Sequence, residues 1–152
     1  MSTPEERLAE LGLAIPEVAK PVAVYVPAVR SGNQVFTSGQ LPMRSGELLS
    51  TGLVGAEVTE EEAYACAQQC ALNAIAAINS EVGDLSLVKR IVKVVVFVAS
   101  SPDFTGQPRV ANGASELFGT VFGEAGVHAR AAVGVAVLPL DAPVEVDVIV
   151  EL

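Results

Sequence analysis

Residues 87–100, LVKRIVKVVVFVAS, form the segment that most constrains the fold of this chain. β-branched side chains dominate it, and they lose rotamer freedom in a helix. Its apolar run also lacks the regularly spaced polar positions of a surface helix. A run of this kind is typical of a strand whose far end is buried on both faces. The segment therefore predicts a strand inside a sheet, which other elements must cover.

Two longer segments carry the signals of helices that could cover such a sheet. The first is expected to begin at Thr59 as N-cap, with glutamates in its first turn, and to end near Val82, just before a glycine. The second is residues 108–122, which place apolar side chains at helical spacing in spite of two glycines. A short helix is also predicted from Thr3, as a cap, to about Leu11.

The remaining apolar segments are predicted to be strands. Residues 20–29 and 32–42 form two short strands in this interpretation, and residues 43–57 form a loop. Residues 130–138 and 143–152 flank the turn PLDA and predict a β-hairpin. The order of strands, helix, strand, helix and hairpin indicates a single α+β domain over the whole chain, with two main helices on one face of a mixed sheet.

The expected hairpin has two unlike faces, because side chains alternate along a strand. We expect its valines to face the helices, which leaves Arg130, Ala132 and Gly134 on the opposite face with Glu145 and Asp147. Small residues let a ligand approach the strand, and an arginine beside them offers a planar fork suited to a carboxylate. The alternative is that Arg130 is a surface charge and the small residues face a partner subunit.

Composition narrows the possible functions. Nine Lys and Arg against eighteen Asp and Glu give a net charge of −9, which repels polyanions, so nucleic-acid binding is not expected. No apolar run reaches the ~20 residues of a membrane helix, and the N-terminus does not resemble a signal peptide, so we expect a soluble, cytoplasmic protein. Cys66, Cys70 and the single histidine, His128, form no metal-ligand cluster in sequence, and the cysteines are expected to be buried hydrophobes.

Several motifs, in order along the chain, resemble the reactive intermediate deaminase (Rid, or YjgF-like) family. NQVFTSGQLP resembles the family's strand and turn that border the ligand, with Ser38 and Gly39 in the turn, and VKVVVFVASSPDF resembles its central strand. VANGASELF resembles the start of the family's second helix, with Asn112 at the family's asparagine position. ARAAVGVAVLPLDAPVEVDVIV resembles its closing hairpin, whose arginine falls on Arg130 and whose acidic residue falls on Glu145.

The resemblance covers residues 22–152 and implies a chorismate-mutase-like α+β fold, assembled as a homotrimer with ligand pockets between subunits. The implied activity is that of an imine deaminase, which hydrolyses 2-imino or enamine acids to 2-keto acids and ammonia without a metal or organic cofactor. Residues 1–20 precede the resemblance as an N-terminal extension with a short helix, and the link between Asp-Phe and Asn112 is longer than usual. These two features are typical of a longer branch of the family.

The resemblance assigns the catalytic work to two residues. Arg130 would hold the substrate carboxylate, and Glu145 would position the attacking water and shuttle a proton. The backbone N–H of Gly39 could approach the ligand, because no Cβ intervenes. Ala132 replaces the family's cysteine, so a role for that thiol is absent here, although the backbone N–H of Ala132 could still contact the ligand.

Three further residues are candidates for substrate binding. Tyr25 stands at the family's tyrosine position and would close the pocket from one side, while Ser38 and Asn112 would add polar contacts. The alternatives are a half-buried strand aromatic for Tyr25, and local hydrogen bonds to the backbone at a turn and a helix start for Ser38 and Asn112.

Three functions are left open. The first is an imine deaminase, and the second is a non-catalytic trimer that binds a small carboxylate metabolite through Arg130 without needing Glu145. The third is an endoribonuclease, an activity sometimes attached to this family. The net charge of −9, the scattered basic residues and the absence of a histidine pair argue against ribonuclease action.

The expected hairpin also predicts which chain supplies each catalytic residue. If the PLDA turn pairs Leu138 with Pro143, Glu145 lies opposite Ala136, six residues along the strand from Arg130. At about 3.3 Å per residue, roughly 20 Å then separates the two backbones within one chain. We therefore expect each site to join Arg130 of one subunit to Glu145 of its neighbour.

Overall fold

The structure, a computed structural model, describes residues 1–18 and 24–152. Short 3-10 turns cover Leu85–Leu87, Gly123–Gly126 and Pro139–Asp141. The helices and strands of these described residues are, in chain order, α1 (Pro4–Glu10), β1 (Ala28–Ser31), β2 (Gln34–Thr37), β3 (Met43–Arg44), β4 (Glu47–Leu48), α2 (Glu60–Val82), β5 (Arg90–Ala99), α3 (Gln107–Phe122), β6 (Ala129–Val135) and β7 (Val144–Glu151).

The main sheet is mixed, with the strand order β1-β2-β7-β5-β6. Strand β5 lies between β7, which is antiparallel to it, and β6, which is parallel to it. The apolar segment that constrains the fold is therefore a strand paired on both sides, as its composition predicted. Strands β3 and β4 form a separate two-stranded hairpin inside residues 43–57, which we expected to be a loop.

The two long helices pack side by side and cover one face of the main sheet. Beneath them lie alternating, fully buried valines of β5 and β7. This arrangement is the predicted α+β architecture, with both main helices on one face. None of the helices within residues 1–18 and 24–152 is long and apolar enough to cross a membrane.

Local signals set the ends of α2 as predicted. The side chain of Thr59 accepts a hydrogen bond from the backbone N–H of Glu62 at 3.1 Å, which satisfies one of the free donors of the first turn. Gly83 ends the helix with a left-handed φ of 81°, a conformation that favours glycine. Cys66 and Cys70 lie fully buried on the inner side of this helix, as predicted.

Helix α1 is fastened to the rest of the fold. It begins after a capping box between Thr3 and Glu6, as predicted, and ends one residue before the expected Leu11. Leu8 is buried, and Arg7 Nη1 donates to the backbone oxygen of Val121, near the end of α3, at 3.1 Å. The N-terminal segment is therefore part of the packed structure.

The first predicted strand is displaced along the chain. We expected residues 20–29 to be extended, but β1 covers Ala28–Ser31, residues 24–27 form no strand, and residues 19–23 lie outside the described residues. The turn between the strands fixes the register, because it places Ser31 opposite Gln34. Pairing ends near Pro27, whose nitrogen has no hydrogen to donate to the sheet.

The predicted hairpin of residues 130–152 is wrong. Strands β6 and β7 do not pair with each other, because β5 lies between them and pairs with both. Two residues of the link, Leu140 and Asp141, have positive φ values of 59° and 62°, as the central residues of a two-residue hairpin turn do, so the chain turns locally although the two strands do not pair. Two neighbouring segments of alternating valines look the same in sequence, whether they pair directly or share a third strand.

This pairing reverses the predicted faces of β6. Arg130, Ala132 and Gly134 lie opposite Val94, Val96 and Val98 of β5, which face the helices. These three residues of β6 therefore lie on the helix-covered face, and Val133 and Val135 lie on the open face. The expectation for β7 is confirmed, since Glu145 and Asp147 lie opposite Phe97 and Val95 on the open face.

The small side chains of β6 make room for α3. A Cβ atom added at Gly134 would lie 2.9 Å from Nε2 of Gln107 in the first turn of α3, and 3.0 Å from Oγ of Ser100. Ala132 packs against the same core. The side chains of Gln107 and Ser100 therefore occupy part of the space beside Gly134 that we interpreted as open to a ligand or a partner.

Candidate functional site

Arg130 reaches from the edge strand β6 to helix α3. Its Nη1 donates a hydrogen bond to Oδ1 of Asn112 at 2.8 Å and another to Oγ of Ser115 at 3.2 Å. Asn112 and Ser115 are three residues apart, so they lie on the same side of the helix. The structure therefore brings together two predicted site residues, Arg130 and Asn112, and makes the asparagine an acceptor that orients the exposed guanidinium.

Two residues of this group were not identified from the sequence as site residues. Nε2 of His128 lies 2.9 Å from Oγ of Ser115, and Nδ1 of His128 lies 2.6 Å from the backbone oxygen of Gly126. A carbonyl oxygen only accepts, so in a neutral ring Nδ1 carries the hydrogen and Nε2 accepts from the serine hydroxyl. Ser115 follows Asn112 by three residues in the sequence, and this helical spacing was the available signal.

A second group of predicted site residues lines a cavity beside β2, toward the edge of the main sheet opposite to β6. Tyr25, Ser38 and Gly39 contribute to its wall, and its volume is about 730 Å³. The N-terminal residues 16–18, the β3–β4 hairpin and Asn73 of α2 also contribute to the lining. The N-terminal segment therefore contributes to the candidate site as well as to the packing of the fold.

Ser38 makes hydrogen bonds with the backbone. Its hydroxyl donates to the carbonyl oxygen of Val26 at 2.5 Å, and its N–H donates to that of Pro27 at 2.8 Å. This is the local bonding that we considered as the alternative to a ligand contact. These bonds fix the segment that carries Tyr25, whose side chain is exposed at the cavity and lies outside any strand.

Gly39 lies where the pairing of β2 with β7 is interrupted. The register passes from Phe36 opposite Ile149 to Gln40 opposite Val146, so one strand has an extra residue. A Cβ added at Gly39 would overlap the carboxylate of Glu145, whose Cδ would lie only 2.9 Å away. Glycine at this position therefore allows the Glu145 carboxyl to lie directly against the backbone.

The pKa of the Glu145 carboxyl is raised in the folded chain, which favours its protonated form. Burial raises its pKa above the usual value, and the nearby charge of Asp147 raises the pKa further. Burial also raises the pKa of Asp147. Both carboxyls lie half-buried on the open face of the sheet. A carboxyl whose pKa is raised toward neutral pH is better suited to accept and return a proton during catalysis.

The raised pKa of Glu145 predicts that its charge destabilises the folded chain. Ionisation is disfavoured in the folded state, so this cost appears as pH rises from the usual carboxyl pKa through the raised value. We expect Glu145→Gln to stabilise the protein at neutral pH by less than about 1 kcal/mol, because the carboxyl is only partly buried. Urea unfolding at neutral and acidic pH measures the difference, which should vanish in acid. A wild type that is more stable than the variant at neutral pH would contradict this assignment.

The two groups are separate within one chain. Arg130 lies opposite Val94 and Glu145 opposite Phe97, so their side chains lie on opposite faces of the sheet. Three residues along the strands and two strand spacings across them place the two backbones about 14 Å apart. The earlier distance of roughly 20 Å assumed the wrong hairpin. The side chains of Arg130 and Glu145 do not meet within one chain, because the sheet lies between them.

Comparisons with known proteins identify the family. A family model described as "YjgF/chorismate mutase-like, putative endoribonuclease" matches residues 5–152, which include all of α1 except its first residue. Protein TCP17 of Trypanosoma cruzi is 51% identical over 146 residues, which are 95% of this chain and 91% of that protein. A 2-iminobutanoate/2-iminopropanoate deaminase of Dermatophagoides farinae is 33% identical over 140 residues, which are 91% of this chain and 93% of the deaminase.

A solved structure shows the same fold. The crystal structure of the protein Atu1372, of unknown function, from Agrobacterium tumefaciens superimposes with a TM-score of 0.92 at 49% identity, covering 99% of this chain and 92% of that one. The resemblance found in the sequence is thus confirmed by similarity along nearly the whole chain, beyond the short motifs that first indicated it. The chain belongs to the YjgF/chorismate mutase-like family.

Proposed function

We propose that the protein hydrolyses reactive 2-imino or enamine acids to 2-keto acids and ammonia, at sites formed between copies of the chain. The observation that carries the proposal is the presence of two complementary half-sites. One is the exposed guanidinium of Arg130, which Asn112 and Ser115 orient. The other is the cavity at Gly39 with the adjacent Glu145 carboxyl of raised pKa. Deaminase relatives in the family support this reaction class.

The residues suit hydrolysis of a C=N bond. Arg130 pairs with the substrate carboxylate and so places the imine carbon in reach of a water molecule. Glu145 takes a proton from that water as its oxygen attacks the carbon, and gives it to the imine nitrogen, which leaves a tetrahedral intermediate with hydroxyl and amino groups. The carboxylate then takes the hydroxyl proton and passes it to the same nitrogen, so the C=O bond forms as the C–N bond breaks and ammonia leaves. The N–H of Gly39 donates to no acceptor among residues 1–18 and 24–152, so it is available to the reacting oxygen.

A homotrimer would bring the half-sites together. The support for this assembly comes from the open face of the main sheet, where Val29, Phe36 and Val133 are 52%, 40% and 43% exposed. Glu145 lies on this face, and Arg130 lies on the edge strand. Further copies of the chain that cover the apolar face in a closed ring could therefore place one copy's Arg130 beside another's Glu145.

The proposed assembly predicts a mass in solution of three times the 15.7 kDa of one chain. Burial of the exposed apolar side chains between copies stabilises the closed ring. Light scattering coupled to size exclusion at micromolar concentration measures this mass. A monomeric mass would overturn the assembly and, with it, the shared site.

Turnover of freshly generated 2-iminobutyrate or 2-iminopropionate tests the activity itself. We expect the protein to accelerate formation of the keto acid above the rate in buffer, and Glu145→Gln to remove the acceleration. Glu81→Gln, on the exposed surface of α2, is the matched control and should retain it. A protein that binds 2-oxobutyrate without accelerating imine hydrolysis would instead be the non-catalytic binder of carboxylates.

A further inference from the structure

We propose that Ser115 and His128 are positioning residues for Arg130 and that they set the preference of its subsite for a charged carboxylate. The inference rests on the proposed function, in which Arg130 receives the carboxylate of the substrate. Nothing in that function by itself requires a serine and a histidine behind the arginine. The hydrogen bonds that join these side chains give them this role.

The hydrogen bonds of Arg130 leave one edge of its guanidinium available. Both the bond to Asn112 and the bond to Ser115 come from Nη1. Among residues 1–18 and 24–152, the Nε and Nη2 groups of Arg130 donate to no protein acceptor. These two groups form one side of the planar fork, which matches the two oxygens of a carboxylate. The structure thus orients the arginine for a side-on, two-bond contact.

His128 determines how the hydroxyl of Ser115 is turned. The backbone oxygen of Gly126 lies 2.6 Å from Nδ1 and fixes the tautomer, so Nε2 accepts the serine hydrogen across 2.9 Å. With its hydrogen committed to the histidine, the serine oxygen presents lone pairs to Nη1 of Arg130. Without His128, the hydroxyl would rotate freely and hold the arginine less well.

Packing holds the histidine ring in place. The ring meets that of Phe118 edge-on, with centroids 6.1 Å apart, so His128 is held by a contact on α3 and by a hydrogen bond to the preceding turn. An arginine braced in this way loses less side-chain freedom when it binds a ligand than an unbraced one. The contribution of Ser115 and His128 is therefore expected in the affinity for a carboxylate and in KM, with a smaller effect on kcat.

Calorimetric titration of the whole protein with 2-oxobutyrate, and with its neutral amide, tests the inference. We expect Ser115→Ala and His128→Phe each to weaken binding of the keto acid by about threefold to tenfold, the scale of one hydrogen bond, with the affinity for the amide unchanged. The phenylalanine keeps the ring packing but removes both nitrogens. Ser115→Thr, which keeps the hydroxyl, should bind like the wild type. Ser80→Ala, at a helical serine of α2, is the control and should also bind normally.

The outcomes separate this inference from the proposed function. If Arg130→Ala no longer binds the keto acid while Ser115→Ala and His128→Phe bind it normally, the positioning role is wrong and the role of Arg130 stands. Equal weakening for the keto acid and the amide would mean that the two residues only maintain the structure, which also overturns the inference. If Arg130→Ala itself binds the keto acid like the wild type, the proposed carboxylate anchor fails.

Discussion

Arg130→Lys is expected to lose most of the turnover of 2-iminobutyrate, although the positive charge is kept. The guanidinium donates to Asn112 and Ser115 from one nitrogen and offers its free edge to a carboxylate. An ammonium group is a point charge, which cannot reproduce this planar arrangement. In the proposed site between chains, Arg130 and the substrate carboxylate form a buried charged pair. Removal of one partner of such a pair costs about 2 to 5 kcal/mol, so kcat/KM of Arg130→Ala should fall by more than about tenfold.

The measurement is the rate of keto acid formation from freshly generated 2-iminobutyrate. Arg109→Lys is the matched control, because Arg109 lies on the exposed surface of the same helix, α3, and pairs with Glu60. This control should retain activity. Turnover by both Arg130 variants at the parent's rate would show that Arg130 is a surface charge, the alternative that the sequence left open.

Gly113→Ala, which adds one methyl group to α3, is expected to destabilise the fold. A Cβ there would overlap the backbone oxygen of Tyr64 on α2, and it would lie 3.0 Å from the carbonyl carbon of that residue. Backbone atoms cannot turn aside as a side chain can, so the two helices must move apart. Overpacking of this kind costs about 1 to 3 kcal/mol.

Gly119→Ala provides the matched control in the same helix. A Cβ at Gly119 meets no atom within 4 Å, so the helix gains from the better propensity of alanine, by up to about 1 kcal/mol. The two substitutions should therefore shift the midpoint of urea unfolding in opposite directions, with unchanged slopes. An equal gain in stability from both would contradict the close contact of α2 with α3 at Gly113.

The helices could be predicted because their signals are local. Thr59 and Gly83 mark the two ends of α2 by bonds within a few residues, and Thr3 marks the start of α1 in the same way. The two glycines of α3 weakened the helical signal in the sequence, but the structure gives a reason for only one of them. Gly113 gives room for α2, whereas Gly119 meets nothing, and sequence alone does not distinguish the two.

Strand pairing was harder to predict because it joins distant parts of the chain. The valines of β6 and β7 indicated strands, which the structure has, but not the insertion of β5 between them. That error also assigned Arg130 to the wrong face. The expectation that Arg130 and Glu145 lie apart within one chain agrees with the structure, although the distance behind it came from the wrong register.

The candidate site was found in part through family resemblance and in part only through the structure. The resemblance to the family indicated Arg130 and Asn112 as site residues, and the structure shows a hydrogen bond between them. Ser115 and His128 belong to no motif that we recognised, and their partnership depends on the packing of α3 against the turn before β6. The catalytic and binding roles of these residues stay predictions.

Co-assembly of two inactive variants tests the shared site most directly. Arg130→Ala and Glu145→Ala chains carrying different tags are expressed together, and the mixed assemblies are purified through both tags. Random mixing in a closed trimer pairs an intact Arg130 with an intact Glu145 at about a quarter of all sites, and purification through both tags raises this to about a third, since each mixed trimer has one such site. We predict that the mixed assemblies regain imine hydrolysis, while each variant alone is nearly inactive. Mixed assemblies no more active than the separate variants would contradict a site shared between neighbouring chains.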